Sequence, residues 1–437
     1  MPQFDTMTAL NTILYGPPGT GKTYELKSKY FDKYVTRETS ITSEQHFAET
    51  VRPLTWWHVI GIALIEEGAS SVSDILNNRW VTQKAAFSES KNVRATIWGT
   101  LQMHTVQTSE TVSYTLRQSP LLFDKNKDKT WSIIESEFRE QAPELYEILE
   151  SVTNFFPNPD KEIKRYVFTT FHQSYSYEDF IEGIKPVMVD GENGSSIGYE
   201  IENGIFKDLC LRAASDPEND YAIFIDEINR GNVSAIFGEL ITLIEIDKRK
   251  NGANPMNAVL PYSKKPFTVP SNIHIYGTMN TADRSVESLD TALRRRFNFI
   301  EMLPNPSLLT REIEGIRVRS ILEAMNNRIE VLVDRDHTIG HAFFINDKNL
   351  DDIRNTFANK VIPLLQEYFY GDYSKMEMVI GSAFFSKKNV SNVKFAVKSD
   401  DFDPEGKVYD ILNVADKTVI SNEAFIEALT KLVTGQA

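Results

Sequence analysis

Residues 12–23 read TILYGPPGTGKT. Four β-prone residues run into a glycine–proline loop that fits G-x-x-x-x-G-K-[ST], and TYELKSKYFDKY (23–34) continues with helical character. A strand, a glycine loop and a helix in that order make a phosphate cradle. Gly16, Gly19 and Gly21 let backbone N–H groups approach phosphate with no Cβ in the way. Lys22 brings a cation to the phosphates, and Thr23 brings a hydroxyl to Mg2+. The expected nucleotide-binding set is Gly16, Pro17, Pro18, Gly19, Thr20, Gly21, Lys22, Thr23 and Tyr24, joined by Asp226.

Asp226 closes YAIFIDEINR (221–230), an apolar run ending in two acids. Such a run reads as a buried parallel strand whose carboxyl end meets the nucleotide. There Asp226 holds Mg2+ with Thr23, and Glu227 serves as general base for an attacking water. The acid beside the phosphate loop favours hydrolysis over phosphoryl transfer to another substrate. A third apolar run, NIHIYGTMN (272–280), reaches the same edge, and Asn280 at its tip is suited to orienting that water. Ten residues on, DTALRRRFNFIEM places Arg294, Arg295 and Arg296 in a row. On a helix three neighbours cannot face one way, so at least one is free to reach a neighbouring subunit's nucleotide.

Phosphate loop, Asp-Glu strand, Asn-tipped strand and arginines follow one another as in AAA+ ring NTPases. The resemblance narrows with FHQSYSYEDFIEGIKP (171–186), IDEINRGNVSAIFGELITLIE (225–245), MNTADRS (279–285) and ALRRRF (292–297). These resemble the McrB-type motor subunits of modification-dependent restriction systems, over residues 10–30 and about 165–385. The resemblance implies an α/β fold, a parallel AAA+ sheet with helices on both faces and a C-terminal helical lid. It also implies a hexameric ring that hydrolyses GTP, with ATP the alternative, using Mg2+ and stimulated by a McrC-like nuclease subunit. By the same resemblance Asn280 handles the water, Asp283 and Arg284 relay partner contact to it, and Arg230, Arg295 and Arg296 act at the subunit interface.

The chain departs from that pattern early. Fifteen residues precede the phosphate loop, too few for the DNA-reading domain that the resemblance would put there, and roughly 130 separate the first helix from RYVFTTF (165–171). A simple α/β crossover needs far fewer. The expected division is therefore 1–35 and 163–303 for the α/β domain, 36–162 for an inserted domain, and 304–437 for the lid and C-terminal segment. In the insert, LTWWHVIGIALIEEG (54–68), SSVSDILNNRWVTQK (70–84) and KNVRATIWGTLQMHT (91–105) read as three helices. VSYTLRQSPLLFDKNKDKTWSII (112–134) then reads as a hairpin turning at DKNKDK, a winged-helix-like order. Its third helix would offer Lys91, Arg94, Thr96, Thr100, Gln102 and His104 to DNA. Charge over 54–118 is balanced, which leaves a protein-docking role open.

Pro143–Glu144 and EIK (162–164) imitate parts of a nuclease core, but the first reads as a helix and the second leads into a motor strand, so no nuclease activity is expected in this chain. A net charge of −14 excludes a uniformly basic nucleic-acid coat. The single cysteine, Cys210, excludes a disulfide framework and thiolate zinc sites. With no secretory signal and no membrane-length apolar run, a cytoplasmic protein is expected. From 304 onward the pattern is helical, with IGHAFF (339–344) as a structural turn and a small hairpin and closing helix in the last 40 residues. Besides the restriction motor, an ATP-driven remodeller whose insert grips a protein substrate and a nucleotide-gated scaffold fit the same motifs.

Overall fold

The computed structural model describes residues 11–38, 41–88, 92–191, 194–283, 291–389, 396 and 407–435. Its centre is a five-stranded parallel sheet: β1 (Asn11–Gly16), β2 (Tyr166–Thr170), β3 (Tyr221–Asp226), β4 (Ile273–Asn280) and β5 (Asn298–Glu301), in the order β5-β1-β4-β3-β2. The middle strands are apolar on both sides because both faces are covered. Ile13, Ile223, Ile225 and Ile275 point to one core, which also takes Leu209, Cys210 and Ala213 from the helix Ile205–Ser215. Leu14, Ala222, Phe224 and Tyr276 point to the other, against Leu26 of α1 (Lys22–Tyr30). Cys210 is fully enclosed in the first of these cores, and burial pushes its thiol pKa up.

The chain leaves the sheet after α1 through an antiparallel ribbon in which Val35–Arg37 pairs with Glu162–Lys164. EIK is thus one strand of a stalk. Glu38 closes the ribbon by accepting from Asn158 N and Lys161 Nζ, at 2.8 and 2.7 Å. Beyond it lie helices at Ser43–Val51, Trp56–Glu67, Val72–Asn77, Arg79–Phe87 and Val93–Met103, then strands Phe123–Lys125 and Trp131–Ile133, then helices Glu135–Gln141 and Glu144–Thr153. They enclose a core of their own around Ile60, Trp80, Ile97, Trp131 and Phe138.

Two readings of this region need correction. The single helix expected over 70–84 is two, because Asn78 turns extended and its side chain caps the second by accepting from Trp80 N. The expected strand through 112–121 is not formed. Arg117 instead braces that segment by donating to the carbonyls of Tyr114, Val112 and Val106, and the hairpin keeps three residues a side.

A ten-pair hairpin, Glu182–Gly191 with Gly194–Asn203, projects from the α/β domain and was not anticipated. Its base is fixed by Glu182, which is buried against Lys207 at 2.7 Å. The C-terminal domain packs the helices Val318–Leu332 and Asn422–Thr434 around Phe357, Phe384 and Phe425. Arg354 is buried there and donates to the carbonyls of Val414, Ile420 and Ser421. Here too a reading is corrected. Lys407–Ile411 pairs with Phe385–Asn389, outside the last 40 residues where the whole hairpin was expected. No helix among the described residues is long and apolar enough to cross a membrane.

Candidate nucleotide site

The register of the sheet decides which tips meet. Gly16 lies opposite Asn280 across β1 and β4, and β4 pairs with β3 through Gly277 and Ile225, which brings Thr278 level with Asp226. Thr23, first-turn residue of α1, donates from Oγ1 to Asp226 Oδ1 at 3.1 Å. Thr278 donates its hydroxyl to the same carboxylate oxygen. Thr278 did not stand out in the sequence; a hydroxyl two residues before the Asn tip of a buried strand was the available signal.

Glu227 adopts φ +52°, a left-handed conformation that costs a non-glycine residue about 1 kcal/mol or more. The strain is held from two sides. Its N–H donates to Thr278 Oγ1 at 3.1 Å, and its carbonyl accepts Arg230 N–H at 2.9 Å. The Arg230 guanidinium lies 3.3 Å from Glu227 Oε2 and 3.3 Å from Asp283 Oδ2, so it bridges the acid of one strand to the segment following another. Asn280 Oδ1 accepts Ala282 N–H at 3.3 Å, which leaves its amide nitrogen as the donor end of the side chain. Arg284 lies outside the described residues.

The loop itself is tightly braced. Thr20 Oγ1 donates to Pro17 O at 3.0 Å, and Lys22 Nζ donates to Gly16 O and Pro17 O at 2.9 and 2.7 Å. Burial lowers the Lys22 pKa to about 8, with Glu227 and Asp226 acting in the opposite sense. Gly16, Gly19 and Gly21 all take positive φ, where a side chain would be strained. Tyr24 points to solvent.

The lid touches the loop directly. Gly340 N donates to Pro18 O at 3.0 Å and Ala342 N to Gly19 O at 2.9 Å. A Cβ on Gly340 would lie 1.9 Å from the Gly19 carbonyl carbon, so only glycine fits. Phe343 packs its ring against Gly19. His341 is buried in this turn, and desolvation lowers its pKa.

The three arginines part company. Only Arg294 belongs to the short helix Thr291–Arg294, so the expectation of three on one helix is corrected; the chain must turn at once into β5. Arg294 lies over the Phe299 ring. Arg296 and Arg295 both approach Glu245 of the same chain, at 2.7 and 3.7 Å, but the Arg296 side chain is 4% exposed and the Arg295 side chain 67%.

In the insert, Arg94 is exposed and donates to Ser73 Oγ at 3.1 Å; Thr96, Thr100 and Gln102 are half-buried. Lys91 lies outside the described residues. His104 is corrected as a base-reading candidate: it is buried, with Nδ1 3.0 Å from Pro120 O.

Comparison with known proteins agrees with this geometry. Residues 161–297 match the AAA domain (dynein-related subfamily), and residues 317–377 match the McrB α-helical lid domain. The phosphate loop falls outside the first match, separated from it by the insert. Over 240 residues the chain is 38% identical to the type IV methyl-directed restriction enzyme EcoKMcrB subunit of Escherichia coli strain K12, covering 50% of each. Over 261 residues it is 29% identical to the type II restriction enzyme BsuMI component YdiS of Bacillus subtilis strain 168, covering 50% of this chain and 75% of that one. The match to the first relative thus spans only half of that relative's length.

Proposed function

The chain is a McrB-type AAA+ motor, and from that premise we propose that it hydrolyses GTP within a hexameric ring and drives a McrC-like nuclease subunit on DNA. The observation that supports hydrolysis best is the convergence of Thr23, Asp226 and Thr278 beside a strained Glu227. The hydroxyl of Thr23 and the carboxylate of Asp226, 3.1 Å apart, are the hard oxygen donors that suit Mg2+. When bound, Mg2+ neutralises charge on the outer phosphates.

The chain's own residues do the rest. Loop N–H groups and Lys22 hold the phosphates, Asn280 presents its amide to the water, and Glu227 takes the water's proton. Arg230 ties Glu227 to Asp283, so a partner pressing on the segment after β4 moves the base. Of the arginines, Arg295, exposed and 3.7 Å from Glu245, serves a neighbour's nucleotide, while buried Arg296 holds Glu245 at 2.7 Å in its own subunit. The insert supplies DNA contact through the exposed side of the helix Val93–Met103.

A second reading, an ATP-driven remodeller of a protein substrate, draws on the exposed apolar side chains Ile184, Tyr199 and Ile201 of the projecting hairpin. One experiment separates the two: turnover of GTP and ATP by the purified protein, alone, with DNA and with a McrC-like nuclease. GTP turnover that rises with the nuclease supports the motor. ATP turnover indifferent to DNA and nuclease overturns it.

A further inference from the structure

We propose that His341 of the lid is a nucleotide-contacting residue, donating its Nε2–H to the inner phosphates of a nucleoside di- or triphosphate held by the Gly16–Thr23 loop. The proposal rests on the reading of that loop as the phosphate site.

The tautomer follows from one hydrogen bond. His341 Nδ1 lies 3.2 Å from Asn305 N, a backbone donor, so Nδ1 must be the acceptor. In a neutral imidazole the proton then sits on Nε2. The neutral form is the one that burial favours, since desolvation holds the pKa below its usual value. His341 is 8% exposed, and its Nε2, bonded to no protein group among the described residues, keeps access to solvent.

Its aim is fixed by the loop. A Cβ built on Gly21 would lie 3.8 Å from Nε2 and meet no other atom of the protein within 4 Å. Gly21 caps α1, immediately before Lys22, with φ +82°. In loops of this pattern the backbone N–H groups cradle the inner phosphates, whereas the lysine reaches outward. The donor therefore joins the cradle from the lid side. The backbone bonds from Gly340 to Pro18 and from Ala342 to Gly19 hold the imidazole there without help from the ligand.

His341→Asn and His341→Gln separate the two ring nitrogens. Asn keeps an acceptor near the Nδ1 position for Asn305 N–H and loses the distal donor; Gln keeps a donor near the Nε2 position. Polarisation titrations with fluorescent GDP, GTP, ADP and ATP, and melting without nucleotide, make the test. For whichever purine the wild type binds, Asn should weaken the diphosphate and the triphosphate alike by about tenfold with an unchanged melting temperature. Gln should stay within about threefold of wild type. Wild-type affinity in the Asn variant, with loss in the Gln variant, would reduce His341 to an anchor for the turn and overturn the proposal. Loss confined to the triphosphate would overturn it too, by moving the donor to the outer phosphate. Wild-type protein that binds none of the four nucleotides, and matches Lys22→Ala in that, would instead sink the phosphate-site reading itself.

Discussion

The phosphate loop and the insert helix Val93–Met103 are both short polar stretches set among buried elements, and they are built in opposite ways. Around the loop, partners come from far along the chain: Thr23 meets Asp226, 203 residues on, and Pro18 and Gly19 meet the lid turn at Gly340 and Ala342. On the helix, partners lie much nearer in the chain. Asn92 caps Ala95, Thr96 bonds back to Asn92, and Arg94 reaches Ser73 across 21 residues. A site made by convergence fails when one atom is misplaced. A surface laid along one helix loses function in increments.

Glu227→Gln should show the first behaviour at full strength. Turnover should drop by about two to four orders with binding retained, since only proton transfer is lost. Steady-state kinetics beside a nucleotide titration checks this, and unchanged turnover would remove Glu227 from the chemistry. Gly340→Ala adds one methyl group, yet that methyl would overlap Gly19. Overpacking of this kind costs about 1–3 kcal/mol, so nucleotide affinity should fall about tenfold or more. Wild-type affinity would mean that the lid turn is not needed on the loop.

Lys91→Ala with Arg94→Ala should show the graded behaviour. DNA binding should weaken and the slope of log K against log salt should flatten by up to about two, one for each phosphate no longer neutralised. Basal nucleotide turnover should not change. A slope equal to wild type would point to a protein-docking insert.

The smallest effect is a fraction of a proton. Burial lowers the Lys22 pKa from 10.5 to about 8, so between those values the unfolded chain holds a proton that the folded one has released. Stability contributed by this group therefore rises with pH across that window. A polyphosphate restores the charge, and calorimetry in buffers of different ionisation heat should find uptake of about half a proton per site at pH 8. At pH 6.5, where Lys22 is already charged, the uptake should vanish.

The same contrast explains what the sequence let through. The parallel sheet was legible because each strand is a continuous apolar run, and the Asp-Glu and Asn tips sit at strand ends where their neighbours in sequence place them. The lid was legible as helical amphipathic pattern. Pairings between distant segments were not. Nothing in IGHAFF says that its glycine must lie against Gly19, because that demand comes from the packing of two loops more than 300 residues apart. Thr278 was passed over for a similar reason: its role depends on strand register, which sequence alone does not set. The break at Asn78 was readable after all, since Asn before Arg-Trp-Val is a helix start; the apolar spacing on either side masked it.

The ribbon of Val35–Arg37 and Glu162–Lys164 sets how load passes between the insert and the motor. It joins the sheet at the end opposite the phosphate loop, and its second strand runs straight on into β2. Five residues of β2 span about 17 Å, and the next, Phe171, donates its N–H to the Asp226 carbonyl at 3.0 Å. An extended strand hydrogen-bonded along one side stretches little, so a pull along the ribbon is taken up by the ladder to β3 that ends at Asp226. A two-stranded ribbon twists readily, so a sideways swing of the insert is dissipated before it reaches the sheet. The joint works as a tie rod: stiff in tension, compliant in torsion.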